Sequence, residues 1–365
     1  MYKIALLVYD YSLFGGAEKV ALKLANEFVK DYEVHLISCF ATNDTPIIQV
    51  DSSVKCYVLS KKLRSLTWEA IGISNRLKNH LIKSNIDLLI SVTAGVNTIA
   101  VLGTRNTETK MIYAEHSNLL NKTYGKKHQF RQWIGAKVAD YTVTLTEADK
   151  EQFIEKFGVE GRCKSIYNWY DGEIVSDFYD VNSQKIITVG RLAAVKGVDR
   201  LLMVAERVFE KYPTWKWDIY GEGPLREQVE RAIKERKLEN NVFLKGNRTD
   251  VIQLYKKYAF FVMTSYYEGL PLALLEAKSS LLPIISFDCP TGPSEIITDG
   301  YDGFLVENGN IERMTEQIIK LIEDAELRRK FSEHSAKKLE DFQKEKIAKQ
   351  WITLINELCK EKGSD

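Results

Sequence analysis

Residues 3–28, KIALLVYDYSLFGGAEKVALKLANEF, pass from an apolar run through two glycines into a helical pattern. The run KIALLVY is apolar almost throughout, which is typical of a parallel strand covered on both faces. After Gly16, the residues Val20, Leu24 and Phe28 recur at helical spacing. Glycines at such a turn let backbone N–H groups approach a ligand, although a tight turn would use them anyway. The stretch predicts a βα unit of a parallel sheet.

The same alternation of strand and helix patterns continues to Asn168, breaks there, and starts again at residue 185. It predicts an α/β protein with two doubly wound, Rossmann-like domains that face each other across a cleft, in which ligands bind at the carboxyl ends of strands. We assign 1–170 to the N-terminal domain and 185–343 to the C-terminal domain. The polar, acidic segment 169–184 is the predicted linker, and the final helical stretch 344–365 is a candidate to pack back onto the first domain.

Composition narrows the class of protein. Hydrophobic residues make up 45% of the chain and charged residues 28%, as in ordinary soluble globular proteins. The five cysteines show no C-x-x-C spacing, which favours a reducing compartment and argues against structural zinc. No stretch reaches the roughly 20 apolar residues that span a bilayer, and the apolar run at the N-terminus is too short for a signal peptide. We therefore expect a cytoplasmic location.

Residues 266–277, YYEGLPLALLEA, place two glutamates around a proline that favours the start of a helix. Pro271 is expected at the first helical position, which puts Glu268 on the preceding loop and Glu276 in the second helical turn. Between them lies a helix N-terminus with unpaired N–H groups, which suits anions. The pattern favours a ligand that carries both hydroxyls and phosphate.

Other strand ends carry polar residues. YAEHSN ends a strand with His116 among its polar residues, and VGRLAAVKGVDRLL places Arg191 and Lys196 before a helix, where two cations suit a diphosphate. We interpret Gly221 and Gly223 as turn residues. The chain contains no D-x-D, H-E-x-x-H, G-x-x-x-x-G-K-[ST] or G-x-S-x-G motif. A bound diphosphate would therefore be neutralised by the two cations and by helix dipoles.

Taken in order, these stretches resemble the retaining glycosyltransferases of family 4, which have the GT-B fold. The resemblance rests on the glutamate pair with seven residues between, on the G-R-L-x-x-x-K-G loop of 190–197, and on the N-terminal G-G-A-E. It covers nearly the whole chain. E-H-S-N and the later P-T-G-P-S-E are most similar to bacterial enzymes that extend lipid-linked glycans, capsule or O-antigen.

The resemblance implies roles for the charged residues. Arg191 and Lys196 would bind the donor diphosphate, Glu276 the ribose hydroxyls and Glu268 the donor sugar, while His116 would line the reaction centre. No enzymic nucleophile is agreed for this family. The leaving phosphate oxygen would take the acceptor's proton on the same face, so catalysis would rest on positioning and charge stabilisation.

The resemblance also implies contacts made by backbone groups. N–H groups near Gly269 and Leu270 would touch the sugar or the phosphate. The base would stack near Gly246 and Asn247, and Gly16 would approach the donor phosphate from the first domain.

We therefore expect transfer of a hexose or N-acetylhexosamine from a nucleotide diphosphate sugar, with UDP as the expected nucleotide, to a lipid-linked or polysaccharide acceptor. An undecaprenyl-diphosphate-linked glycan is the expected partner, and no metal cofactor is expected. A sugar-nucleotide epimerase, a phosphorylase and a non-catalytic sugar-nucleotide-binding assembly protein remain alternatives. An epimerase would leave the basic segment of the chain without a role.

That basic segment is 55–137, with fourteen Lys or Arg against four Asp or Glu, whereas 138–180 has ten acids against four bases. Stretches 61–85 and 121–137 interleave bases with aromatic residues. Nucleic acid could match this composition, but the expected nucleotide-sugar cleft favours an anionic membrane, with peripheral docking on the inner face. The alternative interpretation is an ordinary solvated surface whose charges balance across the fold. The candidate acceptor or membrane residues are Arg76, Lys78, Lys122, Lys126 and Lys127.

Overall fold

The computed structural model describes residues 1–13, 15–61, 66–121, 125–170, 180–248 and 250–361. The chain divides into two compact units: unit 1 comprises Met1–Asn168 with Glu345–Asp365, and unit 2 comprises Trp169–Lys344. Each unit is built on one parallel sheet with helices between its strands. The prediction of two doubly wound, Rossmann-like domains is confirmed.

Unit 1 contains a seven-stranded sheet in the order β3-β2-β1-β4-β5-β6-β7. Its strands are β1 (Lys3–Asp10), β2 (Glu33–Phe40), β3 (Lys55–Ser60), β4 (Leu88–Val92), β5 (Lys110–Ala114), β6 (Tyr141–Thr144) and β7 (Cys163–Ser165). Neighbouring strands pair in parallel, and all five residues of β4 are buried. The apolar runs in the sequence thus correspond to strands covered on both faces.

The helices of unit 1 connect these strands. They are α1 (Gly16–Phe28), α2 (Leu66–Ser84), α3 (Asn97–Thr104), α4 (Lys126–Val138) and α5 (Glu147–Phe157), with a 3₁₀ turn at Ala94–Val96. The apolar face of α1 is buried through Val20, Leu24 and Phe28, as the spacing predicted.

Unit 2 contains a six-stranded sheet in the order β10-β9-β8-β11-β12-β13. Its strands are β8 (Lys185–Val189), β9 (Lys216–Tyr220), β10 (Val242–Gly246), β11 (Phe260–Met263), β12 (Ile284–Asp288) and β13 (Gly303–Glu307). Its helices are α6 (Val198–Lys211), α7 (Arg226–Glu235), α8 (Val251–Leu254), α9 (Leu272–Ser279), α10 (Pro293–Ile296), α11 (Ile311–Glu323) and α12 (Ala325–Ser335), with 3₁₀ turns at Ala194–Lys196, Tyr255–Lys257 and Ala336–Phe342.

The last helix, α13 (Lys344–Glu361), belongs to unit 1 from Glu345 onward. The ring of Trp351 lies 6.1 Å from the ring of Phe28, and the hydroxyl of Tyr32 donates to Asn356 Oδ1 at 3.1 Å. Of the helices in the described ranges, not one has the length and apolar character needed to cross a bilayer.

The strand order reverses once in each sheet, between β1 and β4 in unit 1 and between β8 and β11 in unit 2. In open α/β sheets, the loops that leave the carboxyl ends of two such strands diverge to opposite sides and leave a crevice where ligands bind. The loops after β1, β4, β8 and β11 are therefore the candidate ligand-binding loops.

Candidate functional site

The loops after β8 and β11 pack directly against each other in unit 2. Gly197, the residue before α6, has a φ of +62°, and a Cβ on it would lie 2.1 Å from the carbonyl oxygen of Thr264. The hydroxyl of Thr264 donates to the Gly197 carbonyl at 3.0 Å, and the N–H of Tyr266 donates to the carbonyl of Val195 at 2.8 Å. Glycine is required at 197 because both the dihedral and the close approach exclude a side chain.

This packing brings two predicted site residues into contact. Lys196 Nζ lies 2.7 Å from each carboxylate oxygen of Glu268, and the hydroxyl of Ser265 donates to Glu268 Oε1 at 2.5 Å. The Glu268 side chain is only 9% exposed, whereas that of Lys196 is 31% exposed. The lysine therefore compensates the charge of a buried carboxylate while it keeps one side open to a ligand.

The backbone around Glu268 is fixed by the loop after β12. The hydroxyl of Thr291 donates to the Glu268 carbonyl at 3.2 Å. Gly292 has a φ of +92°, and a Cβ there would lie 2.1 Å from the carbonyl oxygen of Gly269. Leu270 is buried and Gly269 is half-buried. The turn that carries Glu268 is thus held on both sides, which suits a positioned functional group.

Glu276 lies in the second turn of α9, as predicted, but its neighbours differ from those of Glu268. Pro271 is the N-cap residue of α9, one position earlier than predicted. The hydroxyl of the buried Tyr255 donates to Glu276 Oε2 at 3.4 Å. Burial raises the pKa of Tyr255 well above its usual value, and the charge of Glu276 raises it further. Across the described ranges, no three His, Cys, Asp or Glu side chains are grouped in a way that could hold a metal ion.

The predicted base-binding residues lie at the same edge of the sheet. Gly221, after β9, donates its N–H to the carbonyl of Gly246 at 2.9 Å, and a Cβ on Gly221 would lie 1.9 Å from the carbonyl oxygen of Gly190. The carboxyl ends of β8, β9 and β10 are thus closely packed. Arg191 and Asn247 are exposed at this edge. The interpretation of Gly221 as a structural glycine agrees with this packing.

In unit 1, the end of β5 carries His116 beside a buried carboxylate. His116 is half-buried, and desolvation lowers its pKa to about 4, so the ring is uncharged at neutral pH. Glu115 is buried and accepts hydrogen bonds from the Tyr113 hydroxyl, from the N–H and hydroxyl of Ser117 at 2.8 and 2.7 Å, and from Gln132 Nε2 at 3.1 Å. Glu115 therefore fixes the strand end against α4, a role that the sequence motif alone did not show.

The glycine turn after β1 also places a carboxylate that sequence reasoning missed. Gly15 is the N-cap residue of α1, and a Cβ on it would lie 1.9 Å from Glu18 Oε2. Desolvation raises the pKa of Glu18. Gly16 is exposed, and among the described residues no other part of the chain beyond its neighbours and its own helix lies within 4 Å of a Cβ built on it. G-x-x-E at a helix start is the sequence signal for such a carboxylate, which folds back over the N-terminus.

The predicted basic residues have different surroundings. Arg76 on α2 and both Lys126 and Lys127 on α4 are exposed, whereas Lys122 lies outside the described residues. Lys78 donates to the carbonyl of Arg105 at 2.9 Å. That bond ties α2 to the end of α3 and gives Lys78 a structural contact that its sequence position did not show.

The fold is that of the GT-B glycosyltransferases, and comparison with known families identifies the class of protein. Residues 14–173 match the family model described as Glycosyltransferase Family 4, and residues 177–338 match the model described as Glycosyl transferases group 1. An uncharacterized glycosyltransferase of Haemophilus influenzae is 31% identical over 97% of this chain and 100% of its own length. The chain belongs to this glycosyltransferase family.

Two further relatives align along almost their full length. The amylovoran biosynthesis glycosyltransferase AmsD of Erwinia amylovora is 27% identical over 98% of this chain and 100% of its own. The GalNAc-α-(1->4)-GalNAc-α-(1->3)-diNAcBac-PP-undecaprenol α-1,4-N-acetyl-D-galactosaminyltransferase of Campylobacter jejuni is 25% identical over 98% of this chain and 99% of its own.

Solved structures share the fold at lower identity. A TarM mutant from S. aureus, crystallised with fondaparinux, α-GlcNAc-glycerol and UDP, superposes with a TM-score of 0.84 at 20% identity, over 98% of this chain and 100% of that one. Anabaena HepE, crystallised with UDP and glucose, gives 0.82 at 18% identity, over 98% of this chain and 100% of its own.

Proposed function

We propose that this glycosyltransferase moves a hexose or N-acetylhexosamine from a UDP-sugar to a lipid-linked or polysaccharide acceptor, with retention of the anomeric configuration. The observation that carries the proposal is the contact between Lys196 and Glu268 at the reversal point of the unit 2 sheet. It places a cation suited to phosphate beside a carboxylate suited to sugar hydroxyls, on loops that pack directly against each other.

In the proposed donor complex, Lys196 and the exposed Arg191 bind the diphosphate, and Glu276 accepts hydrogen bonds from the ribose. Glu268 accepts hydrogen bonds from the donor sugar, and the N–H groups near Gly269 face the sugar or the phosphate. The UDP in the TarM and HepE crystals supports UDP as the nucleotide, since both proteins share this fold.

In the transfer itself, the bond between C1 of the sugar and the β-phosphate oxygen breaks, and a bond forms from C1 to the acceptor hydroxyl oxygen on the same face. The acceptor's proton passes to the departing phosphate oxygen. Lys196 and Arg191 stabilise the charge that develops on that phosphate. His116, uncharged at neutral pH, would contribute a hydrogen bond to a substrate hydroxyl and no charge.

Because two cations serve the diphosphate and the chain has no D-x-D motif, the proposed reaction needs no divalent metal. We expect turnover in excess EDTA to equal turnover with added magnesium. Loss of activity on chelation, with recovery on adding metal, would contradict this part of the proposal.

A panel of nucleotide sugars, assayed for UDP release with lipid-linked and polysaccharide acceptors, tests the proposed function. Acceptor-dependent release from one or more UDP-sugars is expected. Epimerisation of the sugar without release would favour an epimerase, and binding without any reaction would favour a non-catalytic protein.

The acceptor class is proposed from chemistry and from relatives. The name of the Campylobacter jejuni enzyme includes an undecaprenyl-diphosphate-linked glycan. We propose a similar acceptor here and peripheral docking on the cytoplasmic leaflet through Arg76, Lys126 and Lys127. Each base near an anionic surface contributes about 1 kcal/mol, and salt weakens the attraction. Co-sedimentation with anionic liposomes should therefore fall in high salt, and indifference to lipid charge would exclude docking of this kind.

A further inference from the structure

A groove with a volume of about 380 Å³ lies in unit 1, between α2, the turn Ala94–Val96 with α3, and α4. This volume is within the range of small-molecule sites. One part of the lining is apolar, from Ala70, Ile99 and Phe130, and the other part is cationic. The cations are Lys126, Lys127 and Arg131.

The apolar part of the groove continues into exposed apolar surface. Phe130 is 52% exposed, and its ring lies 5.7 Å from that of Trp133, which is also exposed. Ile71, next to the lining residue Ala70 on α2, is 72% exposed. The exposed pair of Phe130 and Trp133 beside a groove favours an interaction site over an ordinary solvated surface.

The positions of these cations reduce the stability of α4. Lys126 and Lys127 occupy the first two positions of the helix, where the helix dipole disfavours positive charge, and no acidic residue lies in that turn. Lys127 and Arg131 are four residues apart on one face, where like charges repel. A bound anion would offset both the unfavourable interaction of these lysines with the helix dipole and the repulsion between Lys127 and Arg131.

The groove extends to the carboxyl edge of the sheet, at the point where its strand order reverses. Its lining residue Gly95 lies in the turn that follows β4, and the N–H of Thr93, the first residue after β4, donates to the carbonyl of Ala114 in β5 at 2.9 Å. His116 is two residues beyond Ala114. α4 is fixed at this edge, because Gln132 donates to Glu115 at 3.1 Å and Ser117 Oγ lies 3.3 Å from His128 Nε2.

We propose that this groove binds the lipid end of the acceptor as a single-chain prenyl diphosphate. The chain lies on Ala70, Ile99 and Phe130, and the diphosphate is bound by Lys127 and Arg131. This inference rests on the proposed function, since it supplies the site for the acceptor of that reaction. Three cations beside an apolar groove match a diphosphate joined to a hydrocarbon chain, whereas an uncharged acyl chain would use none of them.

The test is calorimetric titration of the full chain, without membranes and without donor, using farnesyl diphosphate, inorganic diphosphate and farnesol. Because the two parts of the groove act on one molecule, farnesyl diphosphate should bind at least tenfold more tightly than either other compound. A photoreactive prenyl diphosphate should crosslink to peptides that contain 94–99 or 126–131.

Variants separate the two parts. Ala70→Trp fills the apolar part and should remove the advantage of farnesyl diphosphate over inorganic diphosphate. Lys127→Gln with Arg131→Gln should weaken farnesyl diphosphate binding by roughly 100-fold or more, since each substitution removes a charge-assisted hydrogen bond. Lys137→Gln, the same charge change at an exposed position of α4 outside the groove, is the matched control and should have no effect. Circular dichroism and UDP binding check that each variant is folded.

The possible results distinguish this inference from the proposed function. Equal binding of farnesyl diphosphate by the parent chain and by the groove variants would overturn the inference, as would crosslinks elsewhere. If the inference failed in either way but the protein still transferred sugar from a UDP-sugar to soluble acceptors, the proposed function would stand. Specific prenyl diphosphate binding in a protein that uses no nucleotide sugar would overturn the proposed function instead.

Discussion

Both carboxylate oxygens of Glu268 lie 2.7 Å from the Nζ of Lys196, although the two residues are 72 positions apart in the sequence. Ser265 adds a third hydrogen bond to the same carboxylate. Removal of the lysine would leave a largely buried charge with reduced compensation, which is costly in proteins. The lysine that is proposed to bind the donor diphosphate therefore also positions the carboxylate proposed to bind the donor sugar.

The first prediction is that these two residues act as one unit. Lys196→Ala should lower kcat/KM for the donor by roughly 10- to 150-fold, the loss of one charge-assisted hydrogen bond. Adding Glu268→Ala should cost less than the two single effects combined, because groups in contact are not additive. Steady-state kinetics on the four proteins measures this coupling. Strict additivity would show that the contact has no role in turnover, and Lys211→Ala, from an exposed ion pair of the same unit, is the control.

The second prediction distinguishes the proposed roles of Glu268 and Glu276, whose contacts differ. Glu276→Ala should weaken UDP binding by roughly 10- to 150-fold, because the ribose loses a charged acceptor. Glu268→Ala should bind UDP normally and lose turnover. Tyr255→Phe removes only one long hydrogen bond to Glu276 and should have a small effect. Calorimetry with UDP, combined with turnover assays, decides the matter, and equal losses of UDP affinity in both glutamate variants would refute the division of roles.

The third prediction concerns a buried ion pair on the helix that carries Glu276. Lys278 is fully buried and donates to Asp302 Oδ2 at 2.6 Å and to the carbonyl of Ile296 at 2.8 Å. Lys278→Met should lower the free energy of unfolding by about 3–5 kcal/mol, since Asp302 is left buried without its counter-ion. Adding Asp302→Leu should restore most of that loss. Denaturant unfolding measures both changes, and a loss below about 1 kcal/mol for the single variant would contradict the prediction.

The fourth prediction is a loss of stability in acid. Desolvation lowers the pKa of His80 and of His116 to about 4, and it lowers the pKa of His35 as well. The folded state therefore disfavours protonated rings, so stability is complete above the ordinary histidine value of 6.5 and falls as the pH drops from 6.5 towards 4. Thermal unfolding followed across this range should show the decline.

His80→Gln provides the matched test of that decline. The ring of His80 contacts His35 Nδ1 at 2.9 Å and lies 4.1 Å from the ring of Tyr57. Glutamine keeps hydrogen-bonding groups and does not titrate, so the melting temperature of this variant should depend less on pH. His334→Gln, in unit 2, leaves these contacts unchanged and serves as the control. An unaltered pH profile in His80→Gln would show that this pair does not cause the effect.

The fold followed from local patterns because a parallel strand buried on both faces requires a continuous apolar run. KIALLVY and DLLISVT correspond to β1 and β4 for this reason. The prediction for Pro271 was wrong by one position, because the fixed φ of proline near −65° also suits the N-cap position, where Pro271 has a φ of −73°.

The contacts within the candidate site could not be predicted from the sequence, because they depend on the order of the strands in the sheet. Lys196 meets Glu268 only because β8 and β11 are neighbours in the sheet. The tie between Lys78 and Arg105 likewise depends on how α2 packs against α3. The contact between Glu33 and His35 could have been predicted from the sequence, since residues two apart in a strand share a face. In the structure, Glu33 Oε1 lies 3.0 Å from His35 Nε2. The contact between His35 and His80 could not be predicted in this way, because His80 lies on α2.

The most direct test of retaining transfer from a UDP-sugar is proton NMR of the product formed from an α-linked UDP-sugar and a lipid-linked acceptor. We predict an α-linked product, one UDP released for each bond formed, and loss of the product signal in Glu268→Ala. A β-linked product would contradict retention. A sugar nucleotide left intact, or one converted only to its epimer, would contradict transfer itself.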